Sequence, residues 1–570
     1  MMYTCQAIRR LTSTSDDGRD ETTMARSVSV WILPDQLRLD HPALRLAETL
    51  GPSDRDDVRV VLVESRAWMR RLPYHRIRQV LYLSAGRHFA AELEAMGYQV
   101  EMVRAETSRE GLIEHVERHR PTQLVTMEAA EYSPRRWQLG AMAEDLGVPV
   151  EVLPNTQFLV GRSNPIPRPE VGRRYVMEDF YHAIRRHFGL LVGPDGEPTS
   201  GRWNFDLENR KRLPKGASVP RALRFKPDAI TRAVIDEVEA SGFGVGSALG
   251  FDLATTRLDA EAAFEDFLRH RLPDFGAFED AISRDEGVLY HSTLAPQMNL
   301  GLLDPLEMAR AAEGEYHQGR SPINSVEGFI RQVVGWREFV YWQYHRQMPG
   351  LRRANSWGAT RPMPRMFWDA RTDMACIRGI VGRLIDSAYT HHIERLMVVC
   401  NFCLLAGVDP LAVADWFLTF YADSHDWVVL PNVIGMGLNA DGGITATKPY
   451  VASGAYINRM SDFCPTCAFK PQVREGPEAC PFTVLYWNFL IEHEEKLKKN
   501  PRMSLSLVGL TRIKPPERER IAAHAIQYLA NLEPLTGSTL PDQPSPAVGS
   551  LVDEPNNQFG RLLRPNSGGR

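Results

Sequence analysis

Val28-Ser-Val-Trp-Ile-Leu33 and Val58-Arg-Val-Val-Leu-Val63 are short, nearly continuous apolar runs rich in β-branched residues. Runs of this kind fit strands buried on both faces, as in a parallel sheet covered by helices. Working outward, Val80–Leu83, Tyr98–Val103, Thr122–Met127 and Pro149–Leu153 give four more candidate strands. Amphipathic stretches such as Arg87–Met96 and Arg135–Leu146 lie between them. Strands alternating with helical patterns of about 10–15 residues read as βαβ units. Residues 27–155 are therefore expected to form an α/β domain with a parallel, Rossmann-like sheet.

After Pro154 the pattern changes. Val160–Glu170 and Leu191–Ser200 are rich in Pro and Gly, so residues 156–229 read as an interdomain linker. Its segment Arg202–Lys226 carries eight Lys and Arg against Asp206 and Glu208. From 230 to 533 the apolar spacing is helical, as in Ala262–Leu272, Ser325–Gln347, Ile377–Tyr389 and Ile393–Leu405. This half is expected to be a large all-α domain. The ends, 1–26 and 534–570, are polar or rich in Pro, Gly and Ser, and are expected to be disordered.

The chain has 570 residues, 43% of them hydrophobic, which fits a globular protein and excludes a fibrous or tail-like one. Its longest apolar stretch, Met397–Val408, is interrupted by Asn401 and is too short to span a bilayer. With no secretory h-region near Met1, the expectation is a cytoplasmic protein of the bacterial cell, without a membrane anchor and monomeric. The 67 Lys+Arg against 71 Asp+Glu leave a net charge of −4, so any nucleic-acid footprint must be local.

Seven cysteines are too sparse for a disulfide framework. Cys464-Pro-Thr-Cys467 and then Cys480-Pro481 place three thiolates within reach of one centre, which needs a fourth ligand. Cys400 and Cys403 would complete a paired C-x2-C arrangement but lie inside an apolar helix, where inert core cysteines are the better reading. Cys376 uses every turn-located cysteine and is preferred. Spacing leaves zinc and iron–sulfur both open.

His291-Ser-Thr-Leu-Ala-Pro-Gln-Met-Asn-Leu-Gly301 is a polar, glycine-ended loop before a helix, a setting that suits phosphate. Arg331-Gln-Val-Val-Gly-Trp-Arg-Glu338, Thr390-His-His-Ile-Glu-Arg395 and Asp426-Trp-Val-Val-Leu-Pro-Asn432 follow in order. Together these segments resemble the flavin-binding segments of the photolyase/cryptochrome family. Leu33-Pro-Asp-Gln-Leu37, Trp203-Asn-Phe-Asp206, Met177–Arg186 and the four cysteines are similar to its bacterial iron–sulfur branch, the prokaryotic 6-4 photolyases and related cryptochromes. The resemblance runs from Val28 to Glu533.

The resemblance implies FAD in the helical domain, held by Ser292, Leu294, Asn299, Gly301, Gln332, Trp336, Glu338, Arg395, Asp426 and Asn432. It implies a 4Fe-4S cluster on Cys376, Cys464, Cys467 and Cys480. It also implies an antenna, 6,7-dimethyl-8-ribityllumazine, near Asp35, Gln36 and Glu64. His391 and His392 match the lesion-side pair, with His392 as proton donor, and Trp368 and Trp416 match a relay for photoreduction. Arg210, Lys211 and Arg212 are expected on UV-damaged DNA, with the Arg361–Arg365 stretch in support.

Two positions depart from the pattern. Pro34 replaces the usual Gly before Asp35, removing a backbone donor beside the antenna residues, and Phe417 stands where some members carry a redox-active Tyr. The expected activity is light-driven repair of (6-4) photoproducts. A blue-light photoreceptor of the same branch shares the motifs, and a flavin-free, zinc-stabilised DNA-binding protein is the reading outside that class.

Overall fold

A computed structural model describes residues 27–50, 58–170 and 173–534. Five of the six expected strands form one all-parallel sheet: β1 Val28–Trp31, β2 Val58–Ser65, β3 Gln99–Ala105, β4 Gln123–Met127 and β5 Val150–Leu153, in the order β3-β2-β1-β4-β5. Val28 pairs with both Val58 and Gln123, which fixes the register at the centre. The order reverses between β1 and β4, where open α/β sheets leave a crevice beyond the carboxyl ends of the strands. The expected disordered ends lie outside the described residues, apart from Pro534, which pairs with Pro364.

The sixth strand is a correction. Val80–Leu83 belongs to a twenty-residue helix, Arg76–Ala95. Ile77, Val80, Leu81, Ala85, Phe89 and Leu93 recur at helical spacing, and a run of four apolar residues read alone does not carry that period. His75 caps the helix by accepting the Ile77 amide at 3.1 Å. Arg135–Leu146 likewise resolves into two short helices, Tyr132–Gln138 and Met142–Leu146.

Alternation along the strands sorts their side chains onto two faces. Trp31, Leu33, Val61, Val63, Val103 and Leu124 pack against Leu112, Met142 and Leu146. Val28, Val30, Val58, Val60 and Leu62 face the opposite way, into a core that runs on through Leu81 and Phe89 to Phe264, Leu300 and Phe329. The α/β and helical halves thus share one core. Gly301 makes one close link: it adopts φ +86°, and a Cβ there would sit 3.1 Å from the Leu37 amide, which donates to Leu300 O at 2.8 Å.

The helical half follows its apolar spacing. Ile323–Gln347 is one continuous helical run, and Ala375–Ser387 and His392–Ala406 pack around a second core with Trp416, Trp427 and Phe482. No helix among the described residues is long and apolar enough to cross a membrane.

Candidate active site

Among the described residues, three stretches of the helical half widen into π-helical turns: Arg331–Trp336, Arg395–Cys400 and Pro431–Gly437. Such turns gather at functional sites because the extra residue re-aims side chains. Each is apolar and buried except at selected positions. Only Gln332 and Trp336 remain solvent-accessible in the first, only Arg395 in the second and only Asn432 in the third. Gln332/Trp336, His392/Arg395 and Val428/Asn432 each sit one helical turn apart and so share a face. The last two π turns pack on each other, and the helix Arg337–Gln347 packs on Pro431–Gly437.

Arg395 organises the centre. It donates from Nε to Thr390 O at 2.8 Å and from Nη1 to Asp423 Oδ1 at 3.0 Å, and its guanidinium lies 4.0 Å from the centroid of the Tyr421 ring. Asn299 Nδ2 donates to Asp423 O at 2.9 Å, so the glycine-ended loop and the double-histidine segment converge on one aspartate. In that loop Leu294 is buried and its amide lies 3.5 Å from Ser292 Oγ, while Thr293 holds φ +61°.

His392 is exposed to solvent, one helical turn before Arg395. Burial and the Arg395 charge push its pKa down to about 4. His391 is buried, stacks on His291 with centroids 4.6 Å apart and planes 11° apart, and has no hydrogen-bond partner at either nitrogen. Its Nε2 lies 3.6 Å from Glu394 Oε1, and Arg383 pairs with the same carboxylate. Burial pushes Glu394 up to about 7 against the pull of Arg383. Burial and the His392 and Arg395 charges bring His291 down to about 3.

Trp416 and Trp368 do not touch; the Phe420 ring lies between them, 5.1 Å and 5.6 Å away. Phe417 stacks on Tyr421 at 5.1 Å, and Tyr421 shares a 2.9 Å hydrogen bond with Thr390 Oγ1. Sequence reading missed His291, Tyr421 and Asp423. The ring and carboxylate chemistry of all three was visible in the sequence, but the contacts that matter span up to 124 residues.

Cys376, Cys464, Cys467 and Cys480 line one small apolar pocket with Met374, Phe463, Phe469 and Phe482. Cys480 caps the helix Pro481–Glu492 and Cys376 stands in the first turn of Ala375–Ser387, where backbone N–H groups favour a thiolate. Burial raises the Cys464 and Cys480 thiols to about 12 and about 11, so ionised sulfurs here require a compensating cation. A single tetrahedral zinc with Zn–S of about 2.3 Å would hold its sulfurs about 3.8 Å apart. No three of these sulfurs lie within 4.8 Å of one another. Cys400 and Cys403 stay in the helical core, Cys403 beside Met363 Sδ at 4.0 Å.

Other expected residues are placed differently. Glu338 is fully buried, paired with Arg337 at 2.8 Å and accepting the Val160 amide at 3.1 Å, so it ties the helix to the connector and does not face the accessible side. Asp426 is held by Arg71 and Arg352 at 2.8 Å and 2.7 Å, and its amide donates to Glu131, which follows β4. Asp35 and Gln36 follow β1 at the crevice. Gln36 donates to Glu128 O at 2.8 Å, and burial together with Glu131 raises Asp35 to about 7. Glu64, at the end of β2, is taken by Arg87 and Arg104 at 2.8 Å and 3.1 Å.

The basic segment is largely exposed. Arg210 pairs with Asp206, and Arg212 donates to Ser461 O at 3.0 Å. Lys211, Lys215, Arg221 and Lys226 have no carboxylate within 4 Å among the described residues. Arg210 and Lys211 rim a cavity with Leu207, Pro273, Asp274 and Asn324.

Residues 30–252 match the family model described as deoxyribodipyrimidine photo-lyase-related protein. The chain is similar to a (6-4) photolyase of Agrobacterium fabrum, 40% identical over 507 residues, covering 86% of this chain and 99% of that protein. Among solved structures, its fold resembles a bacterial class III photolyase from Agrobacterium tumefaciens, with a TM-score of 0.53 at 17% identity over 91% of this chain and 100% of that one. It also resembles a Synechocystis cryptochrome, with a TM-score of 0.54 at 14% identity over 77% of this chain and 88% of that one.

Proposed function

The chain belongs to the photolyase/cryptochrome family, and from that premise we propose that it is a DNA photolyase repairing (6-4) pyrimidine photoproducts in light. The observation that carries the reading is the set Gln332, Trp336, Arg395 and Asn432, the polar or aromatic side chains left accessible on otherwise buried π-helical turns, with His392 exposed one helical turn before Arg395. Buried helices spend such side chains on a bound group, and unpartnered nitrogens on His291 and His391, beside His392, fit one.

FAD, when bound, supplies the light-absorbing electron donor, and the protein supplies position and electrostatics. Ser292, Leu294, Asn299, Gly301, Gln332, Trp336, Arg395 and Asn432 would hold it; Glu338 and Asp426 would support it from behind. Arg395, fixed by Asp423, sets a positive charge at the centre. His392 is neutral at rest, and a phosphodiester brought beside it raises its proton affinity, so it takes up a proton and donates it to a flipped-out lesion. His391 is a positioning residue, wedged between His291 and Glu394 so that the main chain aims His392. A (6-4) lesion is already poorly stacked, which lowers the cost of extruding it.

The four-cysteine pocket would hold a 4Fe-4S cluster that ties Ala375–Ser387 to the loops around Cys464 and Cys480. A lumazine antenna would lie at the β1/β4 crevice against Asp35 and Gln36, with Glu64 acting through its arginines. UV-damaged DNA would dock on the exposed segment around Arg210, Lys211 and Arg212, through phosphate contacts.

The test is blue-light repair, under anaerobic reducing conditions, of oligonucleotides carrying a (6-4) photoproduct or a cyclobutane dimer. Restoration of the first alone, lost in His392→Ala, is the expected result. Repair of neither, with flavin bound and photoreducible, would reassign the chain to a photoreceptor.

A further inference from the structure

In the α/β half, Glu101 on the edge strand β3 meets His115 and His119, one turn apart on the helix Ser108–His119. Their ligand atoms lie within 4.8 Å of one another, and this is the one such group of His, Cys, Asp and Glu among the described residues. His115 Nδ1 lies 2.5 Å and His119 Nε2 3.0 Å from the same oxygen, Glu101 Oε2. Arg118 occupies the other oxygen, Oε1, which leaves Oε2 to the two imidazoles.

The surroundings are those of a metal ligand set. The His115 side chain is fully buried, and its far nitrogen, Nε2, lies 2.8 Å from Ser29 Oγ on β1. A hydroxyl accepts as readily as it donates. With Ser29 donating to Nε2, Nδ1–H bonds to Glu101 Oε2 at 2.5 Å; with Nε2–H donating to Ser29, the Nδ1 lone pair is free for an ion, whose entry displaces that proton and widens the Nδ1–Oε2 gap. A hydrogen bond on the far nitrogen is the usual way a ligating histidine is oriented. His119 and Glu101 keep 21% and 16% side-chain exposure, which gives an ion a way in. Two imidazoles and one carboxylate, with water completing the shell, suit zinc and its neighbours rather than calcium or magnesium.

We propose that Glu101, His115 and His119 bind one divalent transition-metal ion of the zinc class, fastening the edge strand of the sheet to its covering helix. The ion replaces the protons otherwise shared between Glu101 and the imidazoles, and those protons leave to solvent. The site stands apart from the proposed repair chemistry, so its test does not depend on repair.

The experiment uses the full chain with the cofactors it carries from expression and with any histidine tag removed. After dialysis against Zn2+, metal analysis should give one more zinc per chain than the His119→Ala variant, whose folding is checked by circular dichroism. Zn2+ should raise the melting temperature of the parent chain but not of the variant. Co2+ in place of Zn2+ should give weak d–d bands without a thiolate charge-transfer band. Equal zinc in parent and variant overturns the proposal, as does a cobalt spectrum showing thiolate ligation, which would place the ion in the cysteine pocket.

Discussion

Arg395 and Asp423 form a 3.0 Å ion pair whose members are only 20% and 13% exposed, and Asp423 is also the anchor for Asn299 through its backbone carbonyl. The carboxylate therefore balances a cation that three neighbouring groups, Thr390, Tyr421 and His392, all feel. Asp423→Asn keeps the backbone contact to Asn299 and removes the counter-charge. The uncompensated Arg395 should cost about 2–4 kcal/mol, discounted for its partial exposure, and should lower His392 basicity further. We expect a lower urea midpoint and a repair rate reduced by more than an order of magnitude, with the loss smaller at acid pH. An unchanged rate would remove the pair from the mechanism.

Glu279 gives a pH signature separable from repair. Burial and the neighbouring Asp280 raise its pKa to about 8, and it sits between Gln332 Nε2 and Asn209 Nδ2 at 2.8 Å and 2.9 Å. Its folded pKa lies above its unfolded value, so its contribution is complete below that unfolded value, near 4.5, and is lost as pH rises toward 8. Glu279→Gln removes the dependence while keeping the shape. Comparing urea midpoints at acid, neutral and alkaline pH, the variant should gain on the parent by up to about 1.4 kcal/mol per pH unit across that window. A constant difference would mean that Glu279 is ionised throughout.

The sheet was legible because β-branched runs bounded by helical patterns leave few alternatives, and the one failure, Val80–Leu83, was a run too short to show its period. Within the site, Gln332, Trp336, Arg395 and Asn432 were legible as motifs, and the structure leaves them accessible among buried neighbours. Glu338 and Asp426 share those motifs yet face elsewhere, because a helix sends residues two apart to opposite sides and a linear motif does not say which side is open. His291 against His391 and Asp423 against Arg395 depend on tertiary approach and had no local signal.

Gly454 reports on the cysteine pocket. A Cβ there would lie 2.9 Å from Cys480 Sγ and 3.0 Å from Thr483 Oγ1, whereas one at Gly382, on the helix that carries Cys376, would meet nothing within 4 Å. Gly454→Ala should push Cys480 away and lower the iron per chain that the proposed cluster would carry, while Gly382→Ala should leave it unchanged. Iron analysis of the two purified variants decides the point, and equal iron in both would show that Cys480 is not a ligand.

Trp416 is buried with its indole donating to Phe367 O at 3.0 Å, and Phe420 separates it from Trp368. Trp416→Phe should slow light-driven flavin reduction by more than an order of magnitude, and should cost about 1–3 kcal/mol because the Phe367 carbonyl loses its donor. Repair by chemically reduced protein should be spared. Phe417→Tyr, which places an oxidisable ring against Trp416 at 5.2 Å, should speed photoreduction. Flavin absorbance under blue light follows both, and a Trp416→Phe rate equal to the parent would move the relay elsewhere, with Tyr421 the nearest oxidisable ring to Arg395.

The basic segment contains two kinds of cation. Lys211, Lys215, Arg221 and Lys226 are free of carboxylates among the described residues, while Arg210 and Arg212 are engaged by Asp206 and Ser461. A free cation that reaches a phosphate releases counterions on binding, so removing it should reduce the slope of log K against log salt by about 0.9 on duplex DNA. Lys211→Ala should show that reduction and weaken damaged and undamaged duplexes alike. Arg212→Ala should instead loosen the Ser461 turn, which leads into Cys464, and should lower iron content more than it alters the slope. Binding isotherms across a salt series measure both effects, and a Lys211→Ala slope equal to the parent would place DNA on another face.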